Sequence, residues 1–358
     1  MSVRTVAIAA GGTGGHVYPG LAVADALRER GHRVVWLGTR AGLEGRVVPA
    51  AGLDAEWLEI GGMRGKGLAT IAALPWRLGR AVAVAGAALR RQRPDVVLGM
   101  GGYVAGPVGL AARLAGRPLI IHEQNARAGM TNRFLARLGH RVLTGFPDAL
   151  GARSEWVGNP IRTRIHRLES PQERYARREG APRVLVLGGS QGARALNRYV
   201  PQALSAIGGG QPQVLHQAGE LTLEEARTEY GRAGLDGAEV VPFIEDMAGA
   251  YAWADLVVAR SGALTVAELA AAGVPAVLVP LPWAVDDHQT ANAEWLCAAG
   301  AARRLLQPDL EQGALGPVLA ELLGDRRRLA EMGEAARGVA RPDATDRVAT
   351  ICEEVAHG

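Results

Sequence analysis

The stretch GGTGGH, residues 11–16, closes an apolar run from Val6 to Ala10 and precedes Leu21, Ala24, Leu27 and Arg28 at helical spacing. It therefore reads as a strand-to-helix turn. Glycines there admit positive φ and close approach of a ligand, and the N–H groups of a helix start favour an anion. A second turn of the same kind follows about half a chain later in RVLVLGGSQGARALNRYVPQAL, residues 183–204. Other polar clusters fall where strands should end. They are Gly99-Met100-Gly101-Gly102-Tyr103 and His122-Glu123-Gln124-Asn125 in the first half, then Phe243 to Met247, Arg260 to Glu268 and Asp286 to Gln289 in the second. In open α/β sheets that edge is where ligands bind, so the chemistry expected is the holding of polar, anionic small molecules.

The elements that must position these clusters alternate along the chain. Strands are expected at Val34 to Leu37, Val96 to Leu98, Leu119 to His122 and Val142 to Thr144, with helices at 68–91 and 106–115. In the second half, strands are expected at Gln213 to His216, Glu239 to Val241, Leu256 to Ala259 and Ala276 to Val279. Helices there fall at 221–233, 263–272 and 289–299. This is an α/β chain with two Rossmann-like, doubly wound parallel sheets facing a cleft. The hinge is placed at Val157-Gly158-Asn159-Pro160 and the charged segment 166–180 after it.

Composition and missing motifs exclude several classes. The G-x-G-x-x-G fingerprint fails at Val17, and no acid follows Gly38-Thr39-Arg40 to hold an adenosine ribose. A phosphate loop needs a lysine, and Lys66, the only one in the chain, lies elsewhere. With 358 residues and a net charge of +4 the chain is mildly basic, and no basic run is interleaved with aromatics, so nucleic acid is not an expected partner. Two cysteines, Cys297 and Cys352, form no disulfide framework, which fits the cytoplasm. The N-terminus shows no signal-peptide pattern, and the longest uncharged stretches are too short and broken to span a bilayer.

Gly188-Gly189-Ser190-Gln191-Gly192 formally matches a nucleophile elbow, with Asp255 and His288 in the chain order of an α/β serine hydrolase. Against a hydrolase stand the duplicated glycine turn and the missing His-Gly-Gly-Gly oxyanion motif. A nucleotide-sugar binder without catalysis is the other alternative.

Seven segments in order carry a resemblance: GGTGGHVYPGLAVADAL, LGMGGYVAGP, IHEQNARAGMTNR, VGNPIRT, LVLGGSQGARALN, FIEDMAGAYAWADLVVARSGALTVAEL and DDHQTANA. With these, the chain from about residue 5 to PDATDR at 342–347 resembles the MurG family of UDP-N-acetylglucosamine-dependent N-acetylglucosaminyltransferases. The resemblance implies a GT-B glycosyltransferase fold and an inverting transfer from UDP-N-acetylglucosamine to the muramyl sugar of lipid I, giving lipid II and UDP. It implies an N-terminal acceptor and membrane-side domain, 1–160, and a C-terminal donor-binding domain, 161–341. A C-terminal helix, 342–358, returns to the first domain.

Carried over motif by motif, Phe243 and Ile244 border uracil, Glu268 takes the ribose hydroxyls, and Gly189, Ser190, Ala263, Leu264 and Thr265 cradle the pyrophosphate, with Val266 and Ala267 on the same helix. Gln289 reads sugar hydroxyls beside Asn292, and Arg162 lies in the donor site. Thr13, Gly14, Gly15 and Asn125 close on the donor sugar or the acceptor diphosphate, and Gly101, Gly102 and Tyr103 lie on the acceptor side. His16 is the leading general base and Glu123 the second, with Asn125 beside it, because an imidazole near neutrality suits removal of a hydroxyl proton. Pro282-Trp283-Ala284-Val285 departs from the usual family pattern.

No Asp-x-Asp occurs, so no obligatory metal or other cofactor is expected, only loosely held magnesium. From Arg64 to Arg93 seven basic residues and no acid mix with Leu68, Ile71, Leu74, Trp76, Leu78, Val82, Val84 and Leu89. That pattern fits contact with an anionic membrane surface. The expected location is peripheral, on the cytoplasmic face of the cell membrane.

Overall fold

The computed structural model describes residues 3–60, 74–189, 193–207 and 211–357. It divides into two compact units, Met1–Ile161 with Arg341–Gly358, and Arg162–Ala340. Among the described residues the first unit has strands β1 (Thr5–Ala10), β2 (Arg33–Gly38), β3 (Asp54–Trp57), β4 (Val96–Gly101), β5 (Leu119–Glu123), β6 (Arg141–Thr144) and β7 (Glu155–Trp156). The second has β8 (Arg183–Leu187), β9 (Gln213–Gln217), β10 (Glu239–Val241), β11 (Leu256–Ala259), β12 (Ala276–Leu278) and β13 (Ala302–Arg304). The sheet orders are β3-β2-β1-β4-β5-β6-β7 and β10-β9-β8-β11-β12-β13. Every pairing is parallel.

Both orders reverse direction once, between β1 and β4 and between β8 and β11. Crossover connections diverge to opposite faces there, leaving a crevice at the carboxyl ends of the two strands. The glycine turn at 11–15 therefore lies beside Gly101-Gly102-Tyr103, and Gly188-Gly189 lies beside Arg260-Ser261-Gly262.

Strand residues alternate between two buried faces of the first sheet. Val6, Ile8, Ala10, Trp36 and Leu98 pack with Val17, Val23 and Leu27 of the helix Gly14–Glu29. Ala7, Ala9, Val97 and Ile121 pack on the other side with Ala85, Ala88, Val104 and Val108. Burial on both faces explains the near-continuous apolar runs by which these strands were legible. Val348, Ile351 and Cys352 of the helix Ala344–His357 complete the first of these clusters. Arg347 of that helix pairs with Glu155 on β7 at 2.7 Å, and Glu353 accepts from Arg30 at 3.0 Å.

Residues 166–180, expected as part of a hinge, are instead built into the second unit. Ser170 and Glu173 form a capping box with Pro171 in the first turn of the helix Pro171–Ala176. Arg174, 6 % exposed, donates to the carbonyl of Ala272 at 3.0 Å and also to that of Gly273. The charge that made the segment look solvated supplies donors for the last carbonyls of the helix Ala263–Ala272.

The basic stretch is also divided differently from expectation. Residues 61–73 lie outside the described residues. In the helix Leu74–Gln92, Ala81, Ala85, Ala88 and Leu89 are buried against the sheet, so much of its apolar stripe is core. Trp76 is 78 % exposed. Among the described residues no helix is long and apolar enough to cross a membrane.

Candidate functional site

In the first unit two glycine turns interlock. Gly101 ends β4 and Gly102 follows it, with φ of 96° and 78°, a backbone open to glycine and strained for other residues. A Cβ on Gly102 would collide with the carbonyl oxygen of Gly11, so the two chains touch through bare backbone. His16, third residue of its helix and half-buried, lies with its ring against Gly101. A Cβ there would stand 2.8 Å from His16 Cδ2 and 3.4 Å from Asn132 Nδ2. His16 Nδ1 is 3.2 Å from Thr13 Oγ1. The Tyr103 ring passes beside Gly12, whose Cβ, if present, would be 3.6 Å from Cε1. Thr13, Gly14, Gly15, His16, Gly101, Gly102 and Tyr103 are thus brought together.

Glu123 ends β5 and is 2 % exposed. Its Oε1 accepts from the backbone N–H and the side-chain amide of Asn125 at 2.9 and 3.1 Å. Its Oε2 accepts from Gly129 N–H at 3.2 Å and Asn132 Nδ2 at 2.9 Å. Burial pushes this carboxyl above its ordinary range, and the four donors pull it back. Both oxygens are occupied in shaping the 124–129 loop, which corrects the reading of Glu123 as the second base. It positions Asn125, which stays half-exposed.

His122, fully buried, donates from Nε2 to the Gly158 carbonyl at 2.9 Å and accepts at Nδ1 from Gln124 at 3.2 Å. Burial holds its pKa down to about 4. His216 in the second core is held down to about 3 by the same cause. The unfolded chain binds a proton at each ring below its ordinary 6.5, which the folded rings refuse until the lower values. Stability is therefore complete above pH 6.5 and falls as pH drops toward 4, by up to about 1.4 kcal/mol per pH unit for each ring. Thermal melts between pH 7 and 4.5 measure this slope, and His216→Gln should flatten it; an unchanged slope in that variant would remove His216 as a cause.

In the second unit the helix Ala263–Ala272 starts directly after β11, with Gly262 as its extended N-cap. The leading residues Ala263, Leu264 and Thr265 present a helix start at the switch point, beside Gly189 with φ of 81°. Ser190 lies outside the described residues. Glu268, one turn further and half-buried, accepts from the Tyr251 hydroxyl at 3.0 Å. Burial pushes its carboxyl up, opposed first by the Arg162 guanidinium and then by that hydrogen bond. Arg162 thus acts on the Glu268 carboxylate. Tyr251, the fully buried partner that positions Glu268, is a residue that the motifs did not single out.

Three expected site residues of this unit also make contacts that hold its frame together. Val266 is fully buried and its N–H bonds to the Gly262 carbonyl at 3.0 Å, so it closes the first turn of the helix. Asn292 is also fully buried, donating to the Ser261 carbonyl at 3.1 Å, and so pins the helix His288–Ala298 to the 260–262 loop. The N–H of Ile244 bonds to Gln217 Oε1 at 3.2 Å, which ties this loop to the end of β9. Phe243, 45 % exposed, keeps its apolar face open. Ala267 is half-buried on the helix beside Glu268.

Gln289 accepts at Oε1 from Leu281 N–H at 3.0 Å, tying the 281–287 loop to the helix start. Asp286 and Asp287 in this loop have φ of 56° and 51°. Two consecutive side chains in the left-handed region are strained, and such strain collects at ligand-binding loops. Trp283 is 86 % exposed, so it does not pack beneath the loop.

The hydrolase arrangement does not assemble. Asp255 precedes β11, pairs with Arg178 at 2.8 Å and accepts from Arg183 N–H at 2.9 Å at the amino end of β8. Gly189 follows the carboxyl end of the same strand, six residues on and about 20 Å away at ~3.3 Å per residue. The acid stands at the wrong edge of the sheet.

Two parallel, singly reversing sheets, each with a glycine turn at its switch point, are the GT-B glycosyltransferase architecture. Residues 6–144 match the Glycosyltransferase family 28 N-terminal domain and residues 183–348 the Glycosyltransferase family 28 C-terminal domain. The chain belongs to glycosyltransferase family 28. Over 363 aligned residues it is 55 % identical to the UDP-N-acetylglucosamine--N-acetylmuramyl-(pentapeptide) pyrophosphoryl-undecaprenol N-acetylglucosamine transferase of Burkholderia pseudomallei, covering 99 % of this chain and 96 % of that protein. The same enzyme of Burkholderia thailandensis is 54 % identical with equal coverage. The crystal structure of Acinetobacter baumannii MurG superposes with a TM-score of 0.86 at 40 % identity, covering 98 % of this chain and 99 % of that one. The glycosyltransferase of kitacinnamycin, TM-score 0.70 at 20 % identity, shares the fold.

Proposed function

We propose that this protein transfers N-acetylglucosamine from UDP-N-acetylglucosamine to the muramyl sugar of lipid I with inversion, releasing UDP and lipid II for peptidoglycan synthesis. The observation that carries this reading is the 55 % identity across 99 % of the chain to transferases of that specificity. The joint placement of carboxylate, arginine and helix start in the second unit supports it.

In this reading the second unit holds the donor. Phe243 covers the uracil face, Glu268 accepts from the ribose hydroxyls, and the helix start at Ala263-Leu264-Thr265 with Gly189 and Ser190 faces the diphosphate. Arg162 offsets the charge that develops on UDP as it leaves, and Gln289 reads the sugar. In the first unit His16 takes the proton of the attacking acceptor hydroxyl, and Asn125, set by Glu123, lines the same side. The helix starts and Arg162 perform the charge stabilisation expected of a metal, so we assign no resident cofactor and at most loosely bound magnesium.

The acceptor is lipid-linked, and the described surface offers a place for the bilayer. Trp76, Met130 and Phe134 are 78, 75 and 52 % exposed, with Arg77, Arg80, Arg133 and Arg137 exposed around them. The helix Gly102–Leu114 packs against both helices that carry these residues, Leu74–Gln92 and Met130–Leu135, so they share one side of the first unit. Exposed apolar residues within a cationic field bind anionic headgroups. In this reading the enzyme works peripherally, on the cytoplasmic face of the cell membrane.

Transfer of labelled N-acetylglucosamine to a short-chain lipid I analogue, run beside UDP-glucose and UDP-N-acetylgalactosamine, tests the reading. Donor-selective disaccharide formation is expected. Glu268→Ala should reduce kcat/KM about 50-fold, the loss of two charge-assisted hydrogen bonds at one carboxylate. No transfer by folded protein that still binds the donor would refute the acceptor assignment.

A further inference from the structure

Behind the first glycine turn sits a carboxylate that the reaction scheme leaves without a task. Glu44 is fully buried at the start of the helix Glu44–Ala50. Its Oε2 accepts from Gly12 N–H at 3.1 Å, and its Oε1 from Thr39 N–H at 3.1 Å and from the Thr39 hydroxyl at 2.8 Å. The Thr39 oxygen in turn lies 2.5 Å from the Tyr103 hydroxyl. A Cβ on Gly11 would stand 2.6 Å from Glu44 Oε1, so the turn is fitted closely over this carboxylate.

The chain of donors has one consistent direction. A threonine hydroxyl carries a single hydrogen, and that of Thr39 goes to Glu44. The link between Thr39 and Tyr103 must then use the hydrogen of Tyr103. The phenol oxygen is left with lone pairs alone to offer outward.

We propose that Glu44 is a positioning residue which, through Thr39, fixes Tyr103 as a hydrogen-bond acceptor, so that Tyr103 meets an O–H or N–H of the acceptor substrate and not a phosphate oxygen. This rests on the reading of Gly101-Gly102-Tyr103 as the acceptor side. The same carboxylate claims the N–H of Gly12, which removes that amide from anion binding and leaves the role to the helix start at Gly14 and Gly15. The rim thus carries two polarities: donors for a diphosphate along the helix start, and a fixed acceptor at Tyr103 for the sugar or peptide part. That division corrects the simpler expectation of a glycine turn facing an anion throughout.

The test is steady-state kinetics of the full chain with varied lipid I analogue and varied UDP-N-acetylglucosamine. Glu44→Gln replaces one oxygen by an NH2 group, which must face either Gly12 N–H or the Thr39 donors. Its KM for the acceptor should rise at least about tenfold with the donor KM within about twofold. Thr39→Val and Tyr103→Phe should show the same split, Thr39→Ser should restore wild-type behaviour, and the Thr39→Val/Tyr103→Phe double variant should be no worse than either single one. Should Glu44→Gln not fold, Thr39→Val carries the test, because it cuts the chain while leaving the grip on Gly12. An unchanged acceptor KM in Thr39→Val, or additive effects in the double variant, would overturn the inference while wild-type transfer stands. Absence of transfer by the wild-type protein would overturn the functional reading and this inference with it.

Discussion

Replacing His16 by alanine lowers kcat for transfer about 1,000-fold, near the middle of the range for loss of a positioned general base. The donor KM stays within about threefold, because the residues proposed to hold uracil, ribose and diphosphate belong to the other unit. The structure gives the imidazole what a base needs: a half-buried ring, Nδ1 anchored near Thr13, and a flank fixed by Gly101. The acidic limb of the kcat profile should disappear along with the rate. If kcat falls less than about tenfold and that limb persists, the proton goes elsewhere. Glu123 is a poor substitute, since four N–H donors already hold its two oxygens.

Gly102→Ala destabilises the protein by about 4 kcal/mol, the upper range for a single replacement. Two costs add at this position. The φ of 78° strains any side chain, and the new Cβ runs into the backbone oxygen of Gly11, which cannot rotate away. Gly31→Ala is the control: its φ of 85° carries the strain, but nothing lies within 4 Å of the added atom. That variant should lose only about 1–2 kcal/mol. Thermal or urea unfolding of the two variants separates strain from collision, and equal losses would show that the interlocked turns do not constrain the fold.

The sequence was legible where local chemistry and tertiary role coincide. The turns after β1 and β8 need glycine whatever surrounds them, and their strands are apolar because both faces of the sheet are covered. Three of the edge strands carried no such signal. Asp54–Trp57, Glu155–Trp156 and Ala302–Arg304 are short, and most of their residues are half-buried or exposed, so neither alternation nor a run of aliphatics marks them. The segment 166–180 did contain a helix signature, Ser170-Pro171 with Glu173, but its charge outweighed that signal. Burial of Arg174 depends on carbonyls about a hundred residues away, and no local pattern encodes it.

The site divides in the same way. Glycine turns and rim clusters could be listed from spacing, and the resemblance supplied their roles. Glu44, Gln217 and Tyr251 could not be found so, because each is an ordinary residue whose meaning comes from partners on distant strands or helices. Asn132 lay within a quoted motif and was passed over. Val266 and Asn292 show the converse: they sit within the motifs, and the inward direction of their side chains is not legible there.

The return of residues 341–358 to the first unit has a consequence for how the protein is made. Translation delivers residues 162–340 as an uninterrupted block, whereas the first unit receives its last core side chains, Val348, Ile351 and Cys352, only after that block has been synthesised. The second unit is an insertion within the first, so the ribosome releases the parts in the order first sheet, inserted domain, closing helix. Until the closing helix arrives, an apolar face of the helix Gly14–Glu29 stays open to solvent and to chaperones.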